Sequence, residues 1–310
     1  MNVLVIGNGL HTNKRIIPAL LKILSIKKIT VASRNIQKKS INDRVEFESI
    51  EDFLGKNKTY DLGLIVTPPS SHIELYSKIK NCCNRVLIEK PLSDKLNLDI
   101  GINLYDLVNN GKIYESLMYF HHPVWLEVKN IISEFDIVKI KTEFSVPHTN
   151  LDNFRYSKIL GGGSLLDQGI YPVSLVSQIV KEEYEIKRIK LLHEDDYEVD
   201  LGGEIEVLVD KKIKFVGIWK LGGEYKNYLK LITSSGEEFF INFFFSKPDD
   251  KEIIIEKNGS SYKIFEPFDQ FKQLYIDALS DQKVLKEYSN LKNLLKRYEM
   301  LDTIYKNFKK

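Results

Sequence analysis

The sequence contains very little cysteine and has no long apolar run. Cys82 and Cys83 are its two cysteines, and because neighbours in sequence rarely form a structural disulfide, we expect both to be reduced. No apolar stretch approaches the roughly 20 residues that a membrane span needs. The short apolar run in the opening MNVLVIGNGLH lacks the basic flank and the cleavage site of a signal peptide. The sequence therefore predicts a cytoplasmic protein with no membrane partner.

An excess of charge of either sign is also lacking. The 45 Lys and Arg residues nearly balance the 43 Asp and Glu residues, which leaves a net charge of +2 at pH 7. A protein without a basic field has no electrostatic drive to bind nucleic acid. His121, His122 and His148 have no cysteine or acidic partners at the spacing of a metal site. We therefore expect small-molecule partners, no nucleic acid and no metal.

The chain does have two successive patterns, and its 310 residues exceed what one ordinary core needs. In the first third, apolar strand segments alternate with helical patterns, which is typical of βαβ units and a parallel, doubly wound Rossmann sheet. This pattern predicts a first domain over residues 1–118. The predicted strands cover residues 3–6, 28–32, 62–66 and 85–88, and the predicted helices cover 16–24 and 71–80.

From about residue 136 the pattern changes to strands that alternate apolar and polar side chains with a period of two. Turn residues between them, as at 210–212 and 234–236, are typical of an antiparallel meander. We predict a second, α+β domain over residues 119–310, closed by two helices. Its predicted strands cover residues 137–146, 204–209, 214–220, 228–233 and 238–244, and the helices cover 267–279 and 290–308.

A glycine loop follows the first predicted strand, in Gly7-Asn8-Gly9 and then Leu10. The first glycine permits a tight turn, and the second lets a pyrophosphate approach the backbone at the start of a helix. Thr12 stands where the usual fingerprint has its third glycine. The pattern predicts a dinucleotide site, although an ordinary turn between a strand and a helix also fits it.

The second predicted strand ends in Ser33 and Arg34, where an NAD-binding fold usually has an acidic residue for the ribose 2′-hydroxyl. A hydroxyl and a guanidinium suit a 2′-phosphate instead, since arginine forms charge-assisted hydrogen bonds to phosphate oxygens. We therefore expect NADP(H) as the preferred cofactor, with NAD(H) as the alternative. Alternatively, Arg34 is a surface charge with no role in cofactor binding.

Two further loops follow the next predicted strands. The first contains Thr67, Pro68 and His72, and the second contains Glu89 and Lys90 before a proline. Ligands of open α/β sheets bind outside the carboxyl ends of the strands, so we expect both loops to line the cofactor crevice and Lys90 to point at the nicotinamide. A lysine before a proline is also a common solvated charge in loops.

The segment GGGSLLDQGIYP places three glycines ahead of Asp167 and Tyr171. No Lys-Ser or Lys-Thr follows the glycines, so they do not form a P-loop, and we expect them to let backbone approach the cofactor and substrate. Asp167 and Tyr171 share one face if the segment is helical.

Arg155 and Tyr156 precede the glycines as candidate substrate contacts, with Arg155 suited to a phosphate or carboxylate. Structural roles are the alternatives to substrate contact. Asp167 would then be a first-turn helix residue, and Tyr171 would occupy a core position.

Four motifs together resemble the glucose–fructose oxidoreductase and inositol dehydrogenase (Gfo/Idh/MocA) family of NAD(P)-dependent oxidoreductases, over nearly the whole chain. The resemblance implies an α/β Rossmann domain followed by an open-faced, mainly antiparallel α+β domain with helices on one face. It also implies that nicotinamide and substrate meet where the two domains meet. The motifs are Gly7-x-Gly9, Thr67-Pro68-Pro69 with His72, Glu89-Lys90-Pro91, and Gly161–Gly163 followed by Asp167 and Tyr171.

Tyr171 stands where many members of that family have histidine. A tyrosine at this position resembles one branch of the family, which includes dihydrodiol dehydrogenase and the 3-ketoreductases of nucleotide-linked deoxysugars. The segment with His122 before a proline also resembles that branch, and residues 153–163 are most similar to the sugar-nucleotide ketoreductases. Phe120 departs from the pattern, because an arginine is often found at its position.

Reduction of a ketone by hydride needs a group that stabilises the alkoxide and a proton donor besides the cofactor. Lys90 suits the first role, and Tyr171 suits the second if a nearby ammonium and oxidised nicotinamide lower its pKa from about 10. Asp167 would orient substrate hydroxyls or position Lys90. The expected catalytic residues are Lys90, Tyr171 and Asp167. The expected substrate contacts are Lys90, His122, Arg155, Tyr156, Asp167 and Tyr171, and the expected cofactor contacts are Gly7, Gly9, Leu10, Ser33, Arg34, Thr67, Pro68, His72, Glu89 and Lys90.

These expectations together predict an NADP(H)-dependent oxidoreductase acting on a hydroxyl or ketone carbon of a sugar, with a nucleotide-linked 3-keto sugar as the candidate substrate. A dehydrogenase of a trans-dihydrodiol or other small hydroxy compound is one alternative. A non-catalytic NAD(P)-binding regulator is another, favoured by Thr12 and Phe120 and opposed by the presence of Lys90 and Tyr171.

The exposed face of an open sheet commonly binds a partner, so we also expect a homo-oligomer, either a dimer or a tetramer.

Overall fold

The structure is a computed structural model that describes residues 1–34, 42–55, 58–96, 113–280 and 282–308. It divides into two compact units. Among the described residues, the first unit comprises those up to 95, those from 113 to 117 and those from 269 to 291, and the second comprises residue 96, residues 118–268 and residues 292–308.

Fourteen strands and eight α-helices occur in the described ranges. The strands are β1 Asn2–Ile6, β2 Lys28–Ser33, β3 Val45–Ser49, β4 Leu62–Ile65, β5 Val86–Glu89, β6 Ile113–Ser116, β7 Ile137–Val146, β8 Tyr184–Leu192, β9 Gly202–Val209, β10 Ile213–Leu221, β11 Lys226–Thr233, β12 Glu238–Asn242, β13 Ile253–Lys257 and β14 Ser260–Phe265. The helices are α1 Ile17–Leu21, α2 Ile50–Leu54, α3 His72–Ile79, α4 Pro123–Glu134, α5 Ile170–Ile179, α6 Gln270–Ser280, α7 Lys283–Tyr288 and α8 Leu291–Phe308.

The first unit contains a six-stranded sheet in the order β3-β2-β1-β4-β5-β6, and every strand pair in it is parallel. This order is that of the doubly wound Rossmann fold, so the predicted fold class is confirmed for this unit. The central strands β1 and β4 are short apolar runs because both faces of a parallel sheet are covered. The carboxyl ends of β1, β2, β4 and β5 carry the predicted cofactor loops.

The second unit contains an eight-stranded sheet in the order β14-β13-β12-β11-β7-β10-β9-β8. Its pairings are antiparallel except that β7 and β10 run parallel, so the predicted mainly antiparallel sheet is confirmed. The strands β9, β11 and β12 alternate buried and less buried side chains, as a sheet covered on one face requires. The helix α5 is buried along almost its whole length.

The two predicted closing helices are present as α6 and α8, but they lie in different units. The residues before α8 cluster with the first unit, whereas the sequence placed them in the second domain. Polar contacts explain this: Arg85 Nη1 donates to Leu279 O at 3.0 Å, and the Tyr288 hydroxyl donates to Glu115 O at 3.0 Å. In the second unit, Lys296 of α8 donates to Val180 O at 2.6 Å.

No helix in the described part of the chain is long and apolar enough to cross a membrane.

Candidate active site

The glycine loop after β1 needs its first glycine for steric reasons. Gly7 has φ +113°, and its N–H donates to Ala32 O at 2.9 Å. A Cβ added to Gly7 would lie 2.5 Å from Val66 O, which is closer than real Cβ atoms approach a carbonyl oxygen. The loop therefore turns sharply between β1, β2 and the end of β4, as the glycine pattern predicts.

Thr12, which replaces the third glycine, fastens this loop. Its side chain is fully buried, and Oγ1 donates to Gly7 O at 2.9 Å. The segment Thr12–Ile16 forms a π-helical turn that continues into α1. A Cβ on Gly9 would have no atom within 4 Å, and Leu10 beside it is exposed. The space beside Gly9 is thus open, as the approach of a diphosphate to the backbone requires.

Ser33 and Arg34 lie at the carboxyl end of β2, next to the glycine loop. Ser33 is the last residue of β2, is partly buried and pairs with Ser49 of β3. Arg34 follows it and is exposed. The hydroxyl and the guanidinium are therefore at the edge of the sheet where the sequence placed the 2′-phosphate contacts, and that role stays a prediction.

His72 connects the two loops that follow β4 and β5. It is fully buried, with Nε2 2.7 Å from Thr67 O and Nδ1 2.9 Å from Pro91 O. Burial lowers the pKa of His72, and the hydrogen bonds to the two carbonyls oppose that effect. Ser71 closes the first loop by donating to Thr67 Oγ1 at 2.7 Å. His72, predicted to contact the cofactor, thus holds Pro91 and the Thr67 loop in fixed positions.

Glu89, the last residue of β5, has polar partners from two directions. The Ser116 hydroxyl donates to Glu89 Oε1 at 2.9 Å, and His11 Nε2 lies 3.7 Å from the same oxygen. Burial acts to raise the pKa of Glu89, but the interactions with His11, Lys90 and Ser116 outweigh it and lower that pKa. Lys90 follows on the loop and is partly buried. The sequence did not single out His11, because its partner Glu89 lies far along the chain.

In the second unit, two of the three glycines before Asp167 are close to other parts of the protein. A Cβ on Gly162 would lie 2.4 Å from Phe154 O. A Cβ on Gly163, which has φ +113°, would lie 2.5 Å from Asp200 Oδ1. We expected these glycines to make room for cofactor and substrate. In the structure the space beside Gly162 and Gly163 is filled by the protein's own backbone and by Asp200.

Asp200 anchors the start of the helical segment that carries Asp167 and Tyr171. Its Oδ2 accepts hydrogen bonds from Ser164 Oγ at 2.5 Å and from the Leu165 N–H at 2.7 Å. Burial raises the pKa of Asp200, although these hydrogen bonds oppose the rise. No sequence pattern identifies Asp200, because it lies more than 30 residues away from this segment in a polar stretch.

Asp167 and Arg155, both predicted to contact substrate, form an ion pair. Asp167 lies in a π-helical turn, Leu165–Gly169, that precedes α5. Its Oδ2 accepts from Arg155 Nε and from Gln168 Nε2. Burial acts to lower the pKa of Arg155, but the charge of Asp167 outweighs it and raises that pKa. The expected contact of Asp167 with substrate hydroxyls or Lys90 stays a prediction.

Tyr171 is buried in a group of aromatic side chains that the sequence did not identify. The ring centroid of Tyr171 is 4.7 Å from that of Phe144, 5.4 Å from that of Phe245 and 6.0 Å from that of Tyr119. Its hydroxyl lies 3.8 Å from the Met118 sulfur. These contacts fix the ring on β7, on the turn at Met118 and on the segment after β12, so the phenol cannot rotate away freely.

Tyr156 and His122 are engaged in contacts within the second unit. The Tyr156 hydroxyl lies 2.9 Å from His148 Nδ1 and accepts from the Thr149 N–H at 3.2 Å. His122 caps α4, because its Nδ1 accepts from the Val124 N–H at 3.1 Å. Burial, assisted by the charge of Lys247, lowers the pKa of His122 to about 3, so the ring is neutral. Their roles as substrate contacts stay predictions.

The fold and these residues define a class: a Rossmann unit with a glycine loop and a Glu-Lys-Pro loop, followed by a large, mainly antiparallel sheet unit with a Gly-rich segment before Asp167 and Tyr171. No family model matches the chain. Its relatives nevertheless confirm the predicted relationship to oxidoreductases of the Gfo/Idh/MocA type.

One relative is dTDP-3,4-didehydro-2,6-dideoxy-alpha-D-glucose 3-reductase from Streptomyces violaceoruber, 27% identical over 198 residues, which are 61% of this chain and 57% of that enzyme. The chain thus spans little more than half the length of that relative. The enzyme of the same name from Actinomadura kijaniata is 25% identical over 257 residues, which are 81% of this chain and 77% of that enzyme.

Two solved structures show the same fold. KijD10, a 3-ketoreductase from Actinomadura kijaniata in complex with NADP and TDP-benzene, superposes with a TM-score of 0.82 at 21% identity, covering 99% of this chain and 97% of that one. Aldose-aldose oxidoreductase from Caulobacter crescentus, complexed with glycerol, superposes with a TM-score of 0.80 at 17% identity, covering 99% and 96%.

Proposed function

We propose that this protein is an NADP(H)-dependent oxidoreductase that transfers a hydride to or from a sugar carbon, with a nucleotide-linked 3-keto sugar as its substrate. The observation that carries the proposal is that the two groups this chemistry needs are both attached to well-held backbone. Lys90 adjoins Pro91, whose carbonyl His72 holds, and Tyr171 is packed among Phe144, Phe245 and Tyr119.

The residues of the first unit fit NADP(H). The open space beside Gly9 admits a diphosphate, whereas the loop itself is closed by Gly7 and Thr12. The Ser33 hydroxyl and the Arg34 guanidinium suit a 2′-phosphate, and no carboxylate stands at these two positions to repel it. The KijD10 structure, which contains NADP, supports the same choice of cofactor. The remaining contacts would come from Leu10, Thr67, Pro68, His72, Glu89 and Lys90.

The nicotinamide supplies the hydride when the cofactor is bound. Lys90 then stabilises the negative charge that develops on the substrate oxygen. Tyr171 donates a proton to that oxygen during reduction and accepts it during oxidation. Its aromatic surroundings exclude water, which strengthens the effect of any fixed charge on the phenol. A Lys and Tyr couple is sufficient for this reaction.

The choice of a nucleotide-linked sugar rests on the relatives. Two of them are 3-reductases of a dTDP-linked didehydro-dideoxyglucose, and the KijD10 structure contains TDP-benzene. The ion pair of Arg155 with Asp167 engages Nε of the guanidinium. Because arginine has further N–H groups, Arg155 keeps donors for a diphosphate. Tyr156 and His122 complete the proposed substrate contacts.

The test is an assay of NADPH oxidation with purified protein and a panel of dTDP-linked keto sugars, free sugars and trans-dihydrodiols. We expect turnover with a nucleotide-linked keto sugar, and a loss of at least about 100-fold in kcat for Tyr171→Phe and for Lys90→Ala, since each removes a group that acts in the transition state. Tyr262→Phe, at an exposed tyrosine of β14, is the matched control and should keep full activity.

Three outcomes would contradict the proposal. Full turnover in both variants would exclude the assigned chemistry. Turnover with a trans-dihydrodiol but not with any sugar would favour the alternative substrate class. Binding of NADPH without oxidation, even in a single turnover, would favour a non-catalytic regulator.

We further propose that the protein acts in the cytoplasm as a homo-oligomer, a dimer or a tetramer. Both cysteines are free thiols, which suits a reducing compartment. Ile254 and Ile264 are exposed on β13 and β14 at one end of the eight-stranded sheet, and exposed apolar side chains on an edge favour association. Analytical ultracentrifugation of the wild type and of Ile264→Lys measures the state; a monomeric wild type would exclude this part of the proposal.

A further inference from the structure

We propose that Arg155, held in place by Asp167, is the positively charged partner of Tyr171 and favours the phenolate form of Tyr171 during proton transfer. Arg155 is then a positioning residue that acts through Tyr171, and Asp167 acts through Arg155. The inference rests on the proposed function, because it assigns Tyr171 the acid–base role.

The guanidinium of Arg155 is held in a fixed position. Arg155 Nε donates to Asp167 Oδ2, and Arg155 Nη1 lies 3.4 Å from Asn153 Oδ1. The guanidinium carbon also lies 5.3 Å from the centre of the Phe154 ring. Only 30% of the Arg155 side chain is exposed, although arginine is usually a surface residue. A long, flexible side chain is thus fixed at several points.

Asp167 and Tyr171 lie on the same continuous helical segment. The π turn Leu165–Gly169 runs directly into α5, and Tyr171 lies four residues after Asp167, about one helical turn further on. An arginine bonded to Asp167 is therefore carried close to Tyr171. In agreement with this geometry, the charge of a Tyr171 phenolate adds to that of Asp167 in raising the pKa of Arg155. The coupling is reciprocal, so Arg155 stabilises the phenolate equally.

Tyr171 packs against aromatic rings and a methionine sulfur. From β7, from the 3-10 turn Met118–His121 and from the segment after β12 it meets Phe144, Met118, Tyr119 and Phe245, none of which is charged at neutral pH. The titratable neighbour Tyr119 shares a hydrogen bond with Ser174 at 2.8 Å. Burial among such groups alone would raise the pKa of a tyrosine. The nearby guanidinium of Arg155 opposes that rise. Asp167 holds the guanidinium in place and partly offsets its positive charge.

The direction of the effect follows from the reaction. Reduction of a ketone needs the protonated phenol, so its rate falls as the pH rises through the pKa of Tyr171. Removal of the Arg155 charge raises that pKa, and the falling limb of the profile moves to higher pH. An opposite charge at close range shifts a pKa by about one unit or more. We therefore expect the alkaline limb of kcat in Arg155→Gln to move up by about one pH unit.

Two measurements test the inference. The first compares pH profiles of kcat for the wild type, Arg155→Gln and Arg155→Lys; Arg155→Lys keeps the charge and should leave the limb close to that of the wild type. The second does not depend on activity. The phenolate absorbance of a protein minus that of its Tyr171→Phe counterpart isolates the titration of Tyr171, and we expect this titration at higher pH in Arg155→Gln than in the wild type.

The outcomes separate this inference from the proposed function. If Tyr171→Phe is inactive but the limb stays in place in Arg155→Gln, the inference is wrong and the proposed function stands. The inference is also wrong if the Tyr171 phenolate titrates at the same pH in Arg155→Gln and in the wild type, or if only Lys90→Ala moves the limb. If Tyr171→Phe keeps full turnover, the proposed function itself fails. Thermal unfolding of each variant shows that a changed profile does not come from a misfolded protein.

Discussion

At the residue scale, Gly7 and Gly9 have different functions although they belong to one motif. Gly7 has a positive φ, and its missing Cβ leaves room for Val66 O, whereas Gly9 faces open space. We expect Gly7→Ala to lower the free energy of unfolding by about 2 kcal/mol or more, since strained backbone and overlap add. Gly9→Ala should change it by less than about 1 kcal/mol and weaken NADPH binding, because its new methyl group enters the space proposed for the diphosphate.

Urea unfolding gives the stability of both variants, and fluorescence titration with NADPH gives the affinity. Gly236→Ala is a useful control, since it combines a positive φ with open space and thus measures backbone strain alone. Equal stability losses for Gly7→Ala and Gly236→Ala would show that overlap with Val66 O contributes nothing. Unchanged NADPH affinity in Gly9→Ala would place the diphosphate elsewhere.

The residues that the sequence could identify are those whose signal is local. Gly7, Gly9 and Lys90 stand directly after strands, and Asp167 and Tyr171 are four residues apart, so their spacing and the family resemblance together singled them out. His11, Asp200 and the aromatic neighbours of Tyr171 could not be found in this way, because each meets its partner from a distant part of the chain. Spacing also could not show that the carboxylate of Asp167 pairs with Arg155.

At the element scale, the helical segment with Asp167 and Tyr171 depends on its anchor at Asp200. The side chain of Asp200 accepts from Ser164 and Leu165 at the first turn, in the manner of an N-cap supplied from elsewhere in the chain. We expect Asp200→Ala to lower the free energy of unfolding by about 2 kcal/mol, because two buried donors lose their acceptor. We also expect a lower kcat, since the turn that positions Asp167 and Tyr171 loosens.

Differential scanning calorimetry and steady-state kinetics measure these two effects. Asp195→Ala removes an exposed carboxylate from the same polar stretch and should change neither quantity. If Asp200→Ala is destabilised but keeps its kcat, the anchor serves folding alone. If it is as stable as the wild type, the hydrogen bonds of Asp200 contribute no net stability.

The strands that the sequence missed are mostly edge strands. β3 carries Glu46 and Glu48, and β8 carries several basic residues, because edges that face water carry charge and so lose the apolar pattern of a strand. The hairpin of β13 and β14 did have a signal, Asn258-Gly259, whose positive φ angles suit a two-residue hairpin turn. The parallel pairing of β7 with β10 could not be predicted from the sequence, because period-two alternation is the same for parallel and antiparallel strands.

At the scale of the whole molecule, the two units show how closely a strand pattern determines a fold. Alternation of strands and helices was sufficient to predict a parallel, doubly wound sheet, since right-handed crossovers leave few arrangements, but four of its six strands were predicted and their order was not. The place of residues 269–291 in the first unit was not predictable, because it depends on hydrogen bonds to Arg85 and Glu115 from more than 150 residues away.

The response of the whole molecule to acid is governed by carboxylates whose pKa is lowered, and Glu89 is the most deeply buried of those described. Because the pKa of Glu89 is lower in the folded protein, the folded state binds fewer protons than the unfolded chain below about pH 4.3. The free energy of unfolding therefore falls as the pH falls through that range. Asp200, whose pKa is raised by burial, acts in the opposite direction, because its stabilising effect is lost as the pH rises.

We expect Glu89→Gln to have a flatter dependence of stability on pH than the wild type, since glutamine does not titrate. Urea unfolding at a series of pH values from about 7 down to about 3 measures the two slopes. Glu74→Gln is the control: the pKa of Glu74 is lowered by Lys78, but the pair is exposed on α3, and exposed pairs contribute little to stability. Its slope should match that of the wild type. If Glu89→Gln and the wild type lose stability in parallel as the pH falls, the carboxylate of Glu89 is not held by His11, Lys90 and Ser116 in the way that the structure indicates.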